Sequence, residues 1–401
     1  MRSLMRRLLL PFLLAFAPVP AAAQELQSDE QALAQDAAEY ARNHRLSEAE
    51  GLQRLRAQAK SVAVTDQIRE RYAGRLAGIA IEHEPDFLIR VRLTGDAPVA
   101  ARTIQAGGMA VPILFETGAA ATRTQILAAM DRHRDAIRAI VDHDGIGFDA
   151  RVGALVVMAD VADLGGEAAE AIADRIAALT GVPVQLRVLN RPAETENAGI
   201  GGRLEGSNPG DARRFVCTTG FAVTDGVRTG IVTAAHCPDA MNYRGADGSD
   251  VPLDYIGGWG ARFQDVQVHV GPEPQQAQFR ASNAARPQRD GRLRARTRAG
   301  ETVCHRGESS GYSCAEVELT DFAPPGDLCG GPCHTTWVTV AGPHCRGGDS
   351  GGPVFVGTTA FGIVKGGNYA SDGRCNFYFY MSTDYLPPGW SLLLEEPRPS
   401  G

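Results

Sequence analysis

The chain has 401 residues, 44% of them hydrophobic and 22% charged, which suffices for two or three domains with complete cores. This composition excludes a disordered or collagen-like chain, and a formal net charge of −7 excludes the basic profile of a nucleic-acid binder. Two lysines, Lys60 and Lys365, stand against 38 arginines, which reads as a compositional bias.

Residues 1–23 have the layout of a secretory signal. Arg2, Arg6 and Arg7 precede the apolar run Leu8 to Ala17, and Ala21-Ala22-Ala23 offers a small-residue cleavage site. The run is shorter than the roughly 20 residues that span a bilayer. An exported product that is soluble once the signal is removed is therefore expected, outside the cell or in a periplasm.

Residues 24–80 read as helix. Gln31 to Tyr40 and Ser47 to Ala59 place apolar and charged groups at helical spacing, and Ser47 with Glu50 forms a capping-box pattern. A β-α-β-α-β pattern follows. It comprises a strand from Phe87 to Leu93, an amphipathic helix from Thr124 to Val141, a buried strand from Gly153 to Met158, a helix from Glu167 to Leu179 and a strand from Val182 to Leu189. This α+β region has no cysteine and no catalytic constellation. Residues 191–213, rich in Gly, Asn, Pro and charge, form a linker.

From residue 214 the pattern changes to short strands. Phe221–Thr224 and Arg228–Val232 flank Asp225-Gly226, a hairpin signal. Further strands are predicted over Asp265–Val270, Arg292–Arg298, Val317–Leu319, Thr335–Val340, Pro353–Val356 and Ala360–Val364. Arg292, Arg294, Arg296 and Arg298 alternate and are expected on one solvated strand face. All eight cysteines lie between 217 and 375, and an even count in an exported domain points to disulfides.

Two segments carry chemistry. Thr233-Ala234-Ala235-His236-Cys237 supplies an imidazole, and Gly348-Asp349-Ser350-Gly351-Gly352-Pro353 supplies a hydroxyl in a glycine-rich turn. A serine hydroxyl is a weak nucleophile until an imidazole accepts its proton, and that imidazole needs a carboxylate to fix its tautomer. Asp265, at the start of an alternating strand, is the preferred carboxylate, with Asp254 and Asp250 as rivals.

These two segments, in this order, resemble those of the chymotrypsin-like serine proteases, and the compact spacing resembles the bacterial branch of α-lytic protease and the streptogrisins. The resemblance covers roughly residues 197–395. It implies an all-β protease domain at 197–401, built as two six-stranded β-barrels with a cleft between them and a short C-terminal helix. By its place before that domain, 24–196 resembles the family's pro-region, which assists folding and then inhibits; an accessory binding or targeting domain is the alternative. Asn197 to Gly202 resembles the start of a mature protease.

The resemblance further implies His236, Asp265 and Ser350 as catalytic residues and the N–H groups of Gly348 and Ser350 as an oxyanion hole. It places Lys365, Gly366 and Gly367 on the substrate-binding strand. Relatives usually have serine where Lys365 stands; this lysine could pair with Asp265, face solvent or enter the pocket. Asp349 is expected to be structural, paired with a buried cation, for which Arg306 is the candidate. Pairings Cys217–Cys237, Cys304–Cys314 and Cys345–Cys375 follow the family. Cys329 and Cys333 are left for a local bridge, with a metal site from Cys329, Cys333, His334 and His344 as the alternative. The expectation is thus a secreted, monomeric serine endopeptidase acting on protein or peptide substrate, without metal, cofactor or nucleic acid. A catalytically inactive module of the same fold, serving binding or adhesion, is the rival.

Overall fold

The structure, a computed structural model, describes residues 26–190, 193–195, 203–208, 213–245, 248–282, 284–342 and 344–395. The signal segment and the Asn197 to Gly202 start lie outside the described residues.

The N-terminal region begins with two helices. Helix α1, Asp29–His44, opens on a complete capping box: the Ser28 hydroxyl accepts from the Gln31 N–H, and the Gln31 side chain accepts from the Ser28 N–H. It ends where Arg45 turns left-handed at φ 56°. Helix α2, Glu48–Arg71, has only half of the box expected of it. Ser47 accepts from the Glu50 N–H, but the Glu50 carboxylate turns forward to Arg54 at 2.8 Å, one helical turn on.

Two sheets follow. The first runs in the order Leu76–Glu82, Leu88–Thr94, Met109–Ala119, Arg102–Ala106, with a parallel central pair. Its inner face, Ile79, Ile81, Ile89, Val91, Leu93, Val111 and Ile113, packs on Ala57 and Ile68 of α2. The strand Leu76–Glu82 lies partly inside the segment predicted as helix; it is almost continuously buried, so it carries no amphipathic period. The second sheet holds Gly145–Asp149, Ala154–Asp160 and Val184–Leu189, covered by α3 (Arg123–Ile140) and α4 (Ala169–Thr180).

From residue 203 onward the described residues are all-β. One β unit combines a four-stranded sheet, Phe215–Thr218, Arg203–Gly206, Met241–Arg244, Asp250–Pro252, with a five-stranded sheet. The latter runs Asp254–Trp259, Val266–Val270, Thr229–Thr233, Ala222–Thr224, Ser391–Leu392. The other unit is a ring of six antiparallel strands in the order Gly311–Glu316, Thr302–Gly307, Pro353–Val356, Thr359–Tyr369, Cys375–Ser382, Trp337–Ala341. The ring closes where Val317 bridges Val340 and the Glu318 N–H reaches the Thr339 carbonyl at 2.8 Å. Closure removes the open edges that an isolated sheet would expose.

The two regions are joined through backbone and buried charge. Gly145–Asp149 pairs antiparallel with Asp321–Ala323, so the second N-terminal sheet continues into the six-stranded unit. Gln58 of α2 bonds both the N–H and the carbonyl of Thr302, at 2.7 and 2.8 Å. Asp36 of α1 and Arg286 form an ion pair at 2.9 Å with both side chains 0% exposed.

Two expectations fail here. The segment predicted as strand Arg292–Arg298 is instead a 3₁₀ turn at Arg294–Arg296, flanked by irregular chain. Its arginines do not share a solvated face. Arg292 pairs with Glu301, Arg294 with Asp321, and Arg296 and Arg298 with Asp66 of α2. The alternation reflected separate carboxylate partners, not a pleat. No C-terminal α-helix occurs among the described residues; the chain there forms a 3₁₀ turn at Thr383–Tyr385 and the edge strand Ser391–Leu392.

Candidate active site

The TAAHC segment leaves the strand Thr229–Thr233 and turns immediately, with the Cys237 N–H on the Ala234 carbonyl at 3.1 Å. The Cys217–Cys237 disulfide ties that turn to the neighbouring sheet. His236 therefore projects toward the six-stranded unit. Its backbone N–H donates to Asp265 Oδ1 at 3.1 Å, and its Nδ1 lies 2.7 Å from Asp265 Oδ2. Its Nε2 lies 2.7 Å from Ser350 Oγ. With Nδ1 facing a carboxylate, Nε2 is left as the acceptor for the hydroxyl proton.

Asp265 sits directly before the strand Val266–Val270, 2% exposed, with its N–H on the Met381 sulfur at 3.3 Å. Burial pushes its carboxyl up, but the His236 and Lys365 charges beside it outweigh this and hold it at about 2. The rivals stand elsewhere: Asp254 is exposed, and exposed Asp250 faces Arg244 at 3.5 Å.

The turn that carries Ser350 is fixed by backbone requirements. Gly348 and Gly351 have φ of 104° and 82°, which L side chains rarely adopt. A Cβ on Gly351 would also lie 2.0 Å from Thr233 Oγ1. Thr218 donates its hydroxyl to the Gly348 carbonyl at 2.7 Å, and its N–H to the Ser350 carbonyl at 2.8 Å. The turn thus hangs on the same strand that carries Cys217.

Asp349 is fully buried behind the turn, and its expected partner is not the one found. Its carboxylate accepts from the Ser309 and Ser310 N–H groups at 2.9 and 3.0 Å and from the Arg346 N–H at 2.8 Å. Arg306 turns instead to Glu308 at 3.3 Å and to the Gly307 carbonyl. The nearest ring is His305, 4.0 Å away and held by Ser310 and Ser313. Burial pushes the His305 imidazole down to about 4, so it is neutral near pH 7. Three backbone dipoles, not a buried guanidinium, stabilise Asp349. Close approach is possible because residue 307 is glycine; a Cβ there would lie 2.0 Å from the carboxyl.

Cys304–Cys314, Cys345–Cys375 and Cys329–Cys333 form the other three disulfides. The last consumes both sulfurs of the alternative metal site. His334 stacks on Phe263, and His344 is exposed.

The strand Thr359–Tyr369 borders the triad. Pro353–Val356 pairs with its first half only as far as Ile363, which leaves the edge beyond open. Ala193–Thr195 occupies that edge in antiparallel register, Thr195 opposite Gly366, Glu194 opposite Gly367 and Ala193 opposite Asn368. Lys365, expected among the substrate-binding residues, directs its side chain away from this edge. Its Nζ lies 3.2 Å from Asp265 Oδ2 and 5.4 Å from the centroid of the Trp337 ring. Sequence reading did not find Trp337, Met381 or the 193–195 strand as parts of this region. A lysine preceding a double glycine was the one available signal.

No protein-family model matches the chain. Among solved structures, it is similar to bacterial chymotrypsin-like serine proteases over about half its length. Thermobifida fusca Protease A matches at 21% identity, over 49% of this chain and 98% of that protein, with a TM-score of 0.37. A glutamic acid-specific serine protease described as using a histidine triad in substrate binding matches at 21% identity, over 47% and 94%, with a TM-score of 0.37. Nocardiopsis protease matches at 19% identity, over 46% and 90%, with a TM-score of 0.35.

Proposed function

We propose that this chain is the precursor of a secreted serine endopeptidase, with 1–23 as signal, 24–196 as pro-region and 197–401 as protease domain. One observation carries the reading: a single line of 2.7 Å contacts from Asp265 through His236 to Ser350. Ser350 Oγ attacks the scissile carbonyl while His236 Nε2 takes its proton. The tetrahedral oxyanion is met by the N–H groups of Gly348 and Ser350, which belong to the glycine-held turn. His236 then returns the proton to the leaving amine, and water, activated by the same imidazole, releases the acyl group from Ser350.

The pro-region reading rests on the 193–195 strand and on buried contacts. An extended peptide binding beside the triad would pair with the open edge of Thr359–Tyr369, and Ala193–Thr195 takes those backbone groups. Substrate is thereby excluded until the linker is cut. The ion pair of Asp36 with Arg286 and the Gln58 bridge to Thr302 give the protease domain buried partners from the N-terminal region, which suits a folding aid. Export accords with four disulfides, and no helix among the described residues is long and apolar enough to cross a membrane. Hydrolysis of casein and of a peptide library by the purified secreted form, abolished in Ser350→Ala, is the expected result. Equal hydrolysis by both proteins would refute it.

A further inference from the structure

The chain places its cations almost entirely on arginine, 38 of them against two lysines, yet one of those two is buried against the triad carboxylate. Composition alone would put arginine there. The space is narrow: Lys365 is 2% exposed, its Nζ lies 3.2 Å from Asp265 Oδ2, and its other side is the face of Trp337 at 5.4 Å. A compact ammonium fits between a carboxylate oxygen and an indole face, where a planar guanidinium with five donors would leave several unpaired. A buried charge persists only when paired, and both members of this pair are buried.

Asp265 Oδ2 therefore faces two partners, the His236 ring at 2.7 Å and the Lys365 ammonium at 3.2 Å. His236 comes from the loop after Thr229–Thr233, and Lys365 from Thr359–Tyr369. Met381, beside Asp265, and Trp337, beside Lys365, are uncharged. Resting on the assignment of Ser350, His236 and Asp265 as a hydrolytic triad, we propose that Lys365 is a positioning residue that sets the working pH of the enzyme. Its ammonium neutralises Asp265 in advance, so an imidazolium at His236 gains less from the carboxylate. Protonation of the free base by solvent is thereby disfavoured, and the enzyme stays active further into acid. The proton path is unchanged: Ser350 Oγ–H to His236 Nε2, then to the leaving amine. Lys365 gives up no proton. Its contact also fixes which Asp265 oxygen faces His236 Nδ1.

The test compares pH profiles of kcat/KM for the processed parent enzyme and for Lys365→Met and Lys365→Gln. Met keeps the apolar stem against Trp337 and Gln keeps a hydrogen-bond donor, but neither carries charge. The acid limb of both variants is expected to move to higher pH by about one unit, as for the loss of a close cation. Met and Gln limbs coinciding with the parent's would overturn the proposal. A second readout is independent of turnover. In the full-length Ser350→Ala chain, the NMR titration of the His236 ring is expected to move in the same direction when Lys365 becomes Met, and an unmoved titration counts against the proposal. If the parent hydrolyses nothing, the triad reading fails, while this titration still reports on Lys365.

Discussion

Truncating Asp36 to alanine should separate the N-terminal region from the β domain energetically without touching the triad. The carboxylate lies in α1, and its partner Arg286 lies in the β domain; both side chains are 0% exposed. Besides Arg286, Asp36 accepts from the Tyr312 hydroxyl at 2.6 Å and from the Gly357 N–H. In Asp36→Ala the guanidinium keeps Gln27, Gln35 and the Gly357 carbonyl as acceptors, at 2.9, 2.9 and 3.1 Å, but loses the one carboxylate that pairs with it among the described residues. The Gly357 N–H loses its acceptor, and the Tyr312 hydroxyl is left with only the weak Cys304 sulfur at 3.6 Å. Breaking a buried pair from one side costs about 3–5 kcal/mol, a fifth or more of the stability of an ordinary domain. The assay is urea unfolding of full-length Ser350→Ala, which lacks the proposed nucleophile, followed by tryptophan fluorescence. Glu39→Ala serves as control, because its partner Arg42 is 65% exposed, and no measurable change is expected there. A loss below about 1 kcal/mol for Asp36→Ala would refute the claim that this pair holds the two regions together.

Acid should weaken the same interface. His83 accepts from the Tyr40 hydroxyl at Nδ1, 2.7 Å, and donates from Nε2 to the Gly300 carbonyl. Burial pushes its imidazole down to about 4, so the unfolded chain binds the extra proton between about pH 6.5 and 4. The stability of full-length Ser350→Ala is therefore expected to fall as pH drops through that window. His83→Gln should lessen the slope, leaving the part contributed by other buried imidazoles such as His305, and an unchanged slope would contradict the assignment. As for maturation, Edman or mass analysis of the secreted enzyme should find a new N-terminus at Asn197, two residues beyond the paired Thr195. A product still carrying 24–196 while active on protein would remove the pro-region reading.

The parts of this protein legible from sequence are those where local chemistry demands particular residues. Gly348 and Gly351 occupy backbone conformations that need glycine, so the tight turn around Ser350 is legible in the sequence. The hairpin at Asp225-Gly226 was legible for the same reason, and so was Ser47 as the cap of α2, although Glu50 turns to Arg54 instead of closing the box. What escaped were decisions made across the chain. The alternating arginines at 292–298 looked like a strand, because their partners Asp66, Glu301 and Asp321 are dispersed in sequence. Arg306 and His305 are neighbours, and only the loop path decides which faces Asp349. Leu76–Glu82 was read into a helix because full burial erases the period of two. Lys365 left three destinations open until Asp265 and Trp337 were both in place.

The central claim is that one hydroxyl is reactive because of the imidazole beside it. The direct measurement is mass spectrometry of the secreted enzyme after treatment with a fluorophosphonate. A single adduct on Ser350 is expected, absent in Ser350→Ala and strongly slowed in His236→Ala. Labelling that persists in Ser350→Ala, or an enzyme that hydrolyses peptide yet never labels at Ser350, would contradict the account.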